Sequence, residues 1–194
     1  MRQRLFYVPI LHTEKEIGLM QGSEKHANTL KQVREMWVGI QQKILDLKPP
    51  WGSLRIYQEA LPVCGREAEL VTRLSLKGSH NHRLICSLLR HGARIEGTED
   101  PNLLVREYDL LSKAFHAGEG RMPLADYRKE SDKILAERDE FIAGRIRQTL
   151  KPGEVGLVFL GVRHQLDRLL EKDFEIVSVI YMIPFDTVKT VYNL

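Results

Sequence analysis

Cysteine is nearly missing from this chain, and two residues, Cys64 and Cys86, cannot build a disulfide framework. They lie in no CxxC pair, and unpaired thiols fit a reducing compartment. Long apolar runs are missing too, so no segment reaches membrane-spanning length. The opening MRQRLFYVPILHT has an apolar run shorter than a signal h-region and no small-residue cleavage site, which reads as cytoplasmic. Charge of one sign is lacking as well. The formal net charge is +3, with 29 Lys and Arg scattered among 26 Asp and Glu, too even a balance to indicate nucleic acid as a partner. Neither low-complexity segments nor a strict repeat occur.

What is present suits one domain. A length of 194 residues buries a sizeable core without room for two domains, and 43% hydrophobic with 28% charged residues is ordinary for a soluble protein. The pattern alternates strand and helix. Strand-like runs fall at 5–11, 54–62, 155–161 and 175–183, and 93–100 reads as a brief strand running into a turn. Helical periodicity marks 14–47, two pieces between 65 and 92, two helices between 101 and 150, and a short one over about 165–172. Five strands separated by helices predict an α/β fold with a largely parallel central sheet of about five strands and right-handed crossovers. The domain is expected to span 1–183, with a helical insertion at about 101–150 and a tail at 184–194.

In open α/β sheets the ligand crevice lies beyond the carboxyl ends of the strands. Those ends carry His12 after the first strand, Glu59 after the second, Glu99 with Asp100 after the third, and His164 after the fourth. Each alone is accounted for as a helix cap or turn residue, and Thr13 and Thr98 beside them favour capping. Their joint occurrence at four ends suggests a shared pocket. Arg138 adds to it, because it interrupts the apolar stripe Ile134, Leu135, Phe141, Ile142 and Ile146 that should face the sheet. Its guanidinium either escapes to water along a buried stem or reaches the carboxylates.

His82 and Cys86 share a helix face near His80 and His91, the spacing of two metal ligands, although helix packing and capping by Ser79 or Asn81 explain the GSHNH stretch equally. The polar run 113–133 reads as a surface connection or a lid. Tyr7, Trp51, Tyr57 and Phe159 read as core or edge aromatics.

YQEALP, the triad GTE before Asp100, ERDEFIAGRIRQTL and VFLGVRHQLDRLLEKDFEIVSV resemble the Tiki/TraB-type proteins, grouped with the erythromycin esterase-like and ChaN-like families. The likeness is clearest over 130–181. It implies functional roles for Glu59, Glu99, Arg138 and His164, with His12 as the early histidine. Pro9 stands where the early motif has glycine, Thr98 where it has leucine, and Asp139 where an asparagine follows the arginine. The resemblance implies a hydrolase acting on a peptide or ester, or on another small-molecule substrate. In it, His12, Glu59, Glu99 and His164 hold a divalent cation (Mn, Co or Zn) or position a water directly, and Arg138 stabilises developing negative charge. It also admits a non-catalytic crevice that binds haem or another small ligand. The oligomeric state is left open.

Overall fold

The computed structural model describes residues 2–10, 24–115 and 122–181. They form an α/β fold: a five-stranded, all-parallel sheet flanked by six helices. In chain order these are β1 (Gln3–Ile10), α1 (Glu24–Asp46), β2 (Leu54–Gln58), α2 (Glu67–Leu76), α3 (His80–Arg90), β3 (Arg94–Glu96), α4 (Pro101–Phe115), α5 (Leu124–Thr149), β4 (Val155–Gly161), α6 (Leu166–Leu170) and β5 (Phe174–Ser178). The strands lie in the order β3-β2-β4-β1-β5. His12, Thr13 and the tail 184–194 fall outside the described residues.

Alternation along the strands builds two cores, one on each face. Phe6, Val8, Ile56, Leu157 and Phe159 pack with Trp37, Ile40 and Ile44 of α1, Val71 of α2, and Leu84, Ile85 and Leu88 of α3. Leu5, Tyr57, Val158 and Leu160 pack on the opposite face with Ile142, Ala143 and Ile146 of α5, and Leu166 and Leu170 of α6. β4 lies between β2 and β1 and is covered on both faces, which is why VGLVFLG is an unbroken apolar run. Tyr181, beyond β5, lies against Gly39 of α1, where a Cβ would meet the ring at 2.2 Å.

The two faces decide where a site can form. Helices α1, α2 and α3, which follow β1 and β2, cover one face, and α5 and α6, which follow β3 and β4, cover the other. The chain therefore leaves the adjacent strands β2 and β4 towards opposite faces, and a crevice opens at their carboxyl ends.

Several boundaries are shorter than the sequence indicates. β2 stops at Gln58 and β3 at Glu96. The run 113–133 is largely helix, because α5 begins at Leu124; residues 116–121 lie outside the description. Among the described residues no helix is long and apolar enough to cross a membrane.

Candidate functional site

Just past β2, Glu59 keeps the ladder to β4 through its backbone N–H, which donates to the Phe159 carbonyl at 2.9 Å. The chain then turns sharply. Ala60 has φ of 58°, a left-handed conformation that costs a residue with a Cβ about 1 kcal/mol. The turned backbone presents the Ala60 N–H to Glu99 Oε1 at 3.2 Å. The Glu59 carboxylate crosses to β4, where Oε2 accepts the Gly161 N–H at 2.6 Å.

Glu99 reaches the same place from β3. The Thr98 hydroxyl accepts the Gln58 N–H at 2.9 Å and donates to the Glu96 carbonyl at 3.2 Å, continuing in side-chain form the ladder that β3 has ended. It is therefore no helix cap; that position belongs to Asp100, whose Oδ1 accepts the Asn102 N–H at the start of α4. Gly97 makes the approach possible: a Cβ there would sit 2.6 Å from Val63 Cα and 3.1 Å from the Pro62 carbonyl oxygen, both backbone atoms. Gly97→Ala should destabilise the fold by about 1–3 kcal/mol, the usual cost of overpacking a filled site. A urea midpoint within error of wild type would show that this turn has slack.

Arg138 ties the carboxylates together. It is 3% exposed, and its Nε and Nη2 donate to the two oxygens of fully buried Glu99 at 2.9 and 2.6 Å, a fork-to-fork pair. Nη1 holds both oxygens of Glu107 at 2.9 and 2.8 Å, and Nη2 stands 3.6 Å from Glu59 Oε1. Burial opposes the guanidinium charge, but the hydrogen bonds to Glu99 and the charges of Glu99, Glu107 and Glu59 raise its pKa above the ordinary value. Of the two fates open to Arg138, the structure realises the ionic one.

β4 ends at Gly161, and His164 follows in a turn closed by its own N–H to the Gly161 carbonyl at 3.1 Å. The ring is buried between two acids. Nδ1 lies 2.5 Å from Asp139 Oδ1 and Nε2 lies 3.2 Å from Glu59 Oε1. Asp139 Oδ2 also accepts the Gln165 N–H at 2.9 Å, which fixes the carboxylate from the other side. Burial alone would lower the imidazole pKa; the bonds and charges of Asp139 and Glu59 outweigh it and raise it from 6.5 to about 9. At neutral pH the ring is therefore an imidazolium that donates from both nitrogens. Burial, with Glu59 adding to it, also pushes the Tyr7 hydroxyl to about 12, so it stays neutral and donates to the Gly161 carbonyl at 3.3 Å.

Four of the predicted residues, Glu59, Glu99, Arg138 and His164, thus meet in one cluster; His12 is outside the described residues. Two members were missed. Asp139 appeared only as a departure from a motif, and Glu107 not at all, although it lies on the buried face of α4 between Leu103 and Leu110, in the way Arg138 interrupts α5.

The described members of the expected set, Glu59, Glu99 and His164, do not offer a divalent cation open donors, and His12 is outside the described residues. Both Glu99 oxygens and both His164 nitrogens are engaged, and a guanidinium stands where a cation would have to be. Among the described residues no group of three or more His, Cys, Asp or Glu is placed to hold a metal, and this includes the His82 and Cys86 pair. His82 Nδ1 instead meets the Ser79 hydroxyl at 2.8 Å, and Asn81 is no cap, being buried with its amide donating to Gln58 Oε1 at 2.7 Å. A haem iron would likewise find neither nitrogen of His164 open.

A cleft of about 570 Å³ lies alongside, between α5 and α6, with Asp139, Gln165, Arg163 and Arg168 among its walls. Comparison of the chain with protein-family models, with curated proteins and with solved structures gives no match.

Proposed function

We propose that this cluster is the reaction centre of a hydrolase that activates water with Glu59 and His164, without a metal step. The observation that carries the reading is the buried Asp139–His164–Glu59 chain, in which one imidazole is held between two carboxylates at the carboxyl ends of adjacent strands. Asp139 is a positioning residue: it orients the ring through Nδ1 and favours its protonated form. Glu59 keeps 12% of its side chain exposed, enough to meet a water at the cluster's edge.

In this reading Glu59 takes a proton from water as the water oxygen bonds to the acyl carbon of an ester or peptide. His164 gives its Nε2 proton to the departing oxygen or nitrogen as the acyl bond breaks. The proton on Glu59 then passes to Nε2 across the 3.2 Å contact, which restores both groups. Arg138 acts mainly through its hold on the carboxylates, since Glu99 and Glu107 occupy most of its donors. The resemblance to the Tiki/TraB and esterase-like families, clearest over 130–181, supports a role for His164 and Arg138, and its reading in which His and Glu position a water directly agrees with the use of Glu59 and His164 here.

The test is a screen of small esters and peptides with wild type and Glu59→Gln, whose amide still accepts from Gly161 but cannot take up a proton. Turnover by wild type, lost in a folded Glu59→Gln, is expected. Equal turnover by both would remove Glu59 from the chemistry, and no turnover on either class would overturn the hydrolytic reading.

A further inference from the structure

The two carboxylates on Arg138 are held in different ways. Glu99 takes the Nε and Nη2 edge as a fork and is 0% exposed, so it has no water to move into. Glu107 places both oxygens on the single nitrogen Nη1, from a side chain 32% exposed. A carboxylate at the rim of a buried cluster can swing out and recover its hydration, whereas a buried one cannot. Nη1 is therefore the edge of the guanidinium that can change partners.

Resting on the reading of this cluster as a reaction centre, we propose that Arg138 Nη1 anchors a carboxylate carried by the substrate, and that Glu107 occupies this point until the substrate replaces it. Charge supports an exchange over an addition. The cluster already sets Glu59, Glu99, Glu107 and Asp139 against Arg138 and His164, so an added anion would meet repulsion. An anion that displaces Glu107 leaves the cluster's charge as it was. Geometry supports the same site, because Nη1 belongs to the guanidinium whose Nη2 is 3.6 Å from Glu59 Oε1. A molecule held there by its carboxylate has its remaining atoms close to the proposed base. The substrate class is thus narrowed to esters or amides that also bear a carboxylate.

The experiment uses the full chain and acetate as probe, at ionic strength fixed with sodium chloride, with the Arg138 Nε–H resonance followed by NMR. Glu107→Gln removes the competing charge at nearly constant shape. Glu137→Gln is the control, since Glu137 pairs with Arg106 on the exposed side of the same two helices. Glu107→Gln should bind acetate roughly tenfold more tightly than wild type or more, as expected for a charge-assisted bond freed of its competitor. Glu137→Gln should match wild type. Equal affinity in all three proteins, or an equal gain in both variants, overturns the proposal. If Glu107→Gln fails to fold, Glu107→Asp, one methylene short of Nη1, is read against the same criteria. Tight acetate binding by a chain that hydrolyses nothing would keep the anchor and remove the hydrolase; hydrolysis without acetate binding would do the reverse.

Discussion

Replacing Arg138 with methionine should cost about 3–5 kcal/mol of folding stability, the loss seen when one partner of a buried ion pair is removed. Glu99 has no exposure, and its two oxygens rely on Arg138 Nε and Nη2, with one added bond from the Ala60 N–H. Methionine fills the stem's space but leaves that carboxylate either charged without a counter-ion or protonated at a cost. Glu107 would lose its contact cheaply by turning to water, so most of the penalty belongs to Glu99. The double variant Arg138→Met with Glu99→Leu should then recover part of the loss, since removing both charges avoids the uncompensated one. Arg163 is the comparison. Its 2.8 Å pair with Asp132 is 60% and 72% exposed, and Arg163→Met should change stability by no more than about 1 kcal/mol. Urea unfolding reads all three. A loss below about 1 kcal/mol for Arg138→Met would mean that Glu99 does not depend on the guanidinium.

The same burial explains which parts of the molecule were legible in the sequence. β4 was readable to the residue because a strand covered on both faces is an uninterrupted apolar run bounded by glycine and a turn. β3 was legible as a brief strand running into a turn over 93–100, but not where it stops: it ends at Glu96, because Thr98 makes its ladder bond with a hydroxyl and Gly97 brings the chain against Pro62 and Val63, and neither event leaves a mark in hydrophobic periodicity. Arg138 was legible as a charge in an apolar stripe. Glu107 carried that signal too, but Leu103, Leu104, Leu110, Leu111, Ala114 and Phe115 together read as one broad apolar side of α4, in which Glu107 does not stand out; of these Leu103, Leu110 and Ala114 are buried. Asp139 could not be found by periodicity, since its partner His164 lies 25 residues on and beyond a turn. Conformation at Ala60 was equally hidden, because nothing about an alanine announces positive φ.

Fold and chemistry meet in the divergence of the chain after β2 and β4. The strand order delivers Glu59 and His164 to adjacent strand ends, and α5 supplies Arg138 and Asp139 from successive positions about 100° apart on the helix. One residue faces Glu99 and Glu107 and the next faces His164, so a single helix turn sets both the cation that gathers the carboxylates and the acid that charges the imidazole.

That imidazole makes stability depend on pH in a defined window. The pKa of His164 is about 9 in the folded chain against 6.5 for the free side chain, so the native state binds the proton more tightly than the unfolded state. Below pH 6.5 both states are protonated and the ring's full contribution is present; it declines as pH rises through about 9 and is then gone. A difference of this size amounts to about 3 kcal/mol at 1.36 kcal/mol for each pH unit. Urea midpoints from pH 6 to pH 10 should fall accordingly in wild type, and His164→Gln should lack this part of the fall. Tyr7 and Tyr57, both raised from 10.0 to about 12, lower stability only as pH rises through 10, at the upper end of this range. Asp139→Asn keeps the shape but removes one of the two charges that sustain the imidazolium, so the decline should still begin near pH 6.5, where the unfolded chain titrates, but be smaller and end at lower pH. Hydrolysis, if His164 is the proton donor, should lose rate as pH rises through about 9, where the folded ring titrates, and that midpoint should move to lower pH in Asp139→Asn. His164→Gln should lower turnover by about 10²–10⁴, the usual worth of a positioned acid or base. A wild-type stability profile that is flat between pH 6.5 and 9 would show that the ring is neutral in the folded chain, and its place in the chemistry would then be that of a base.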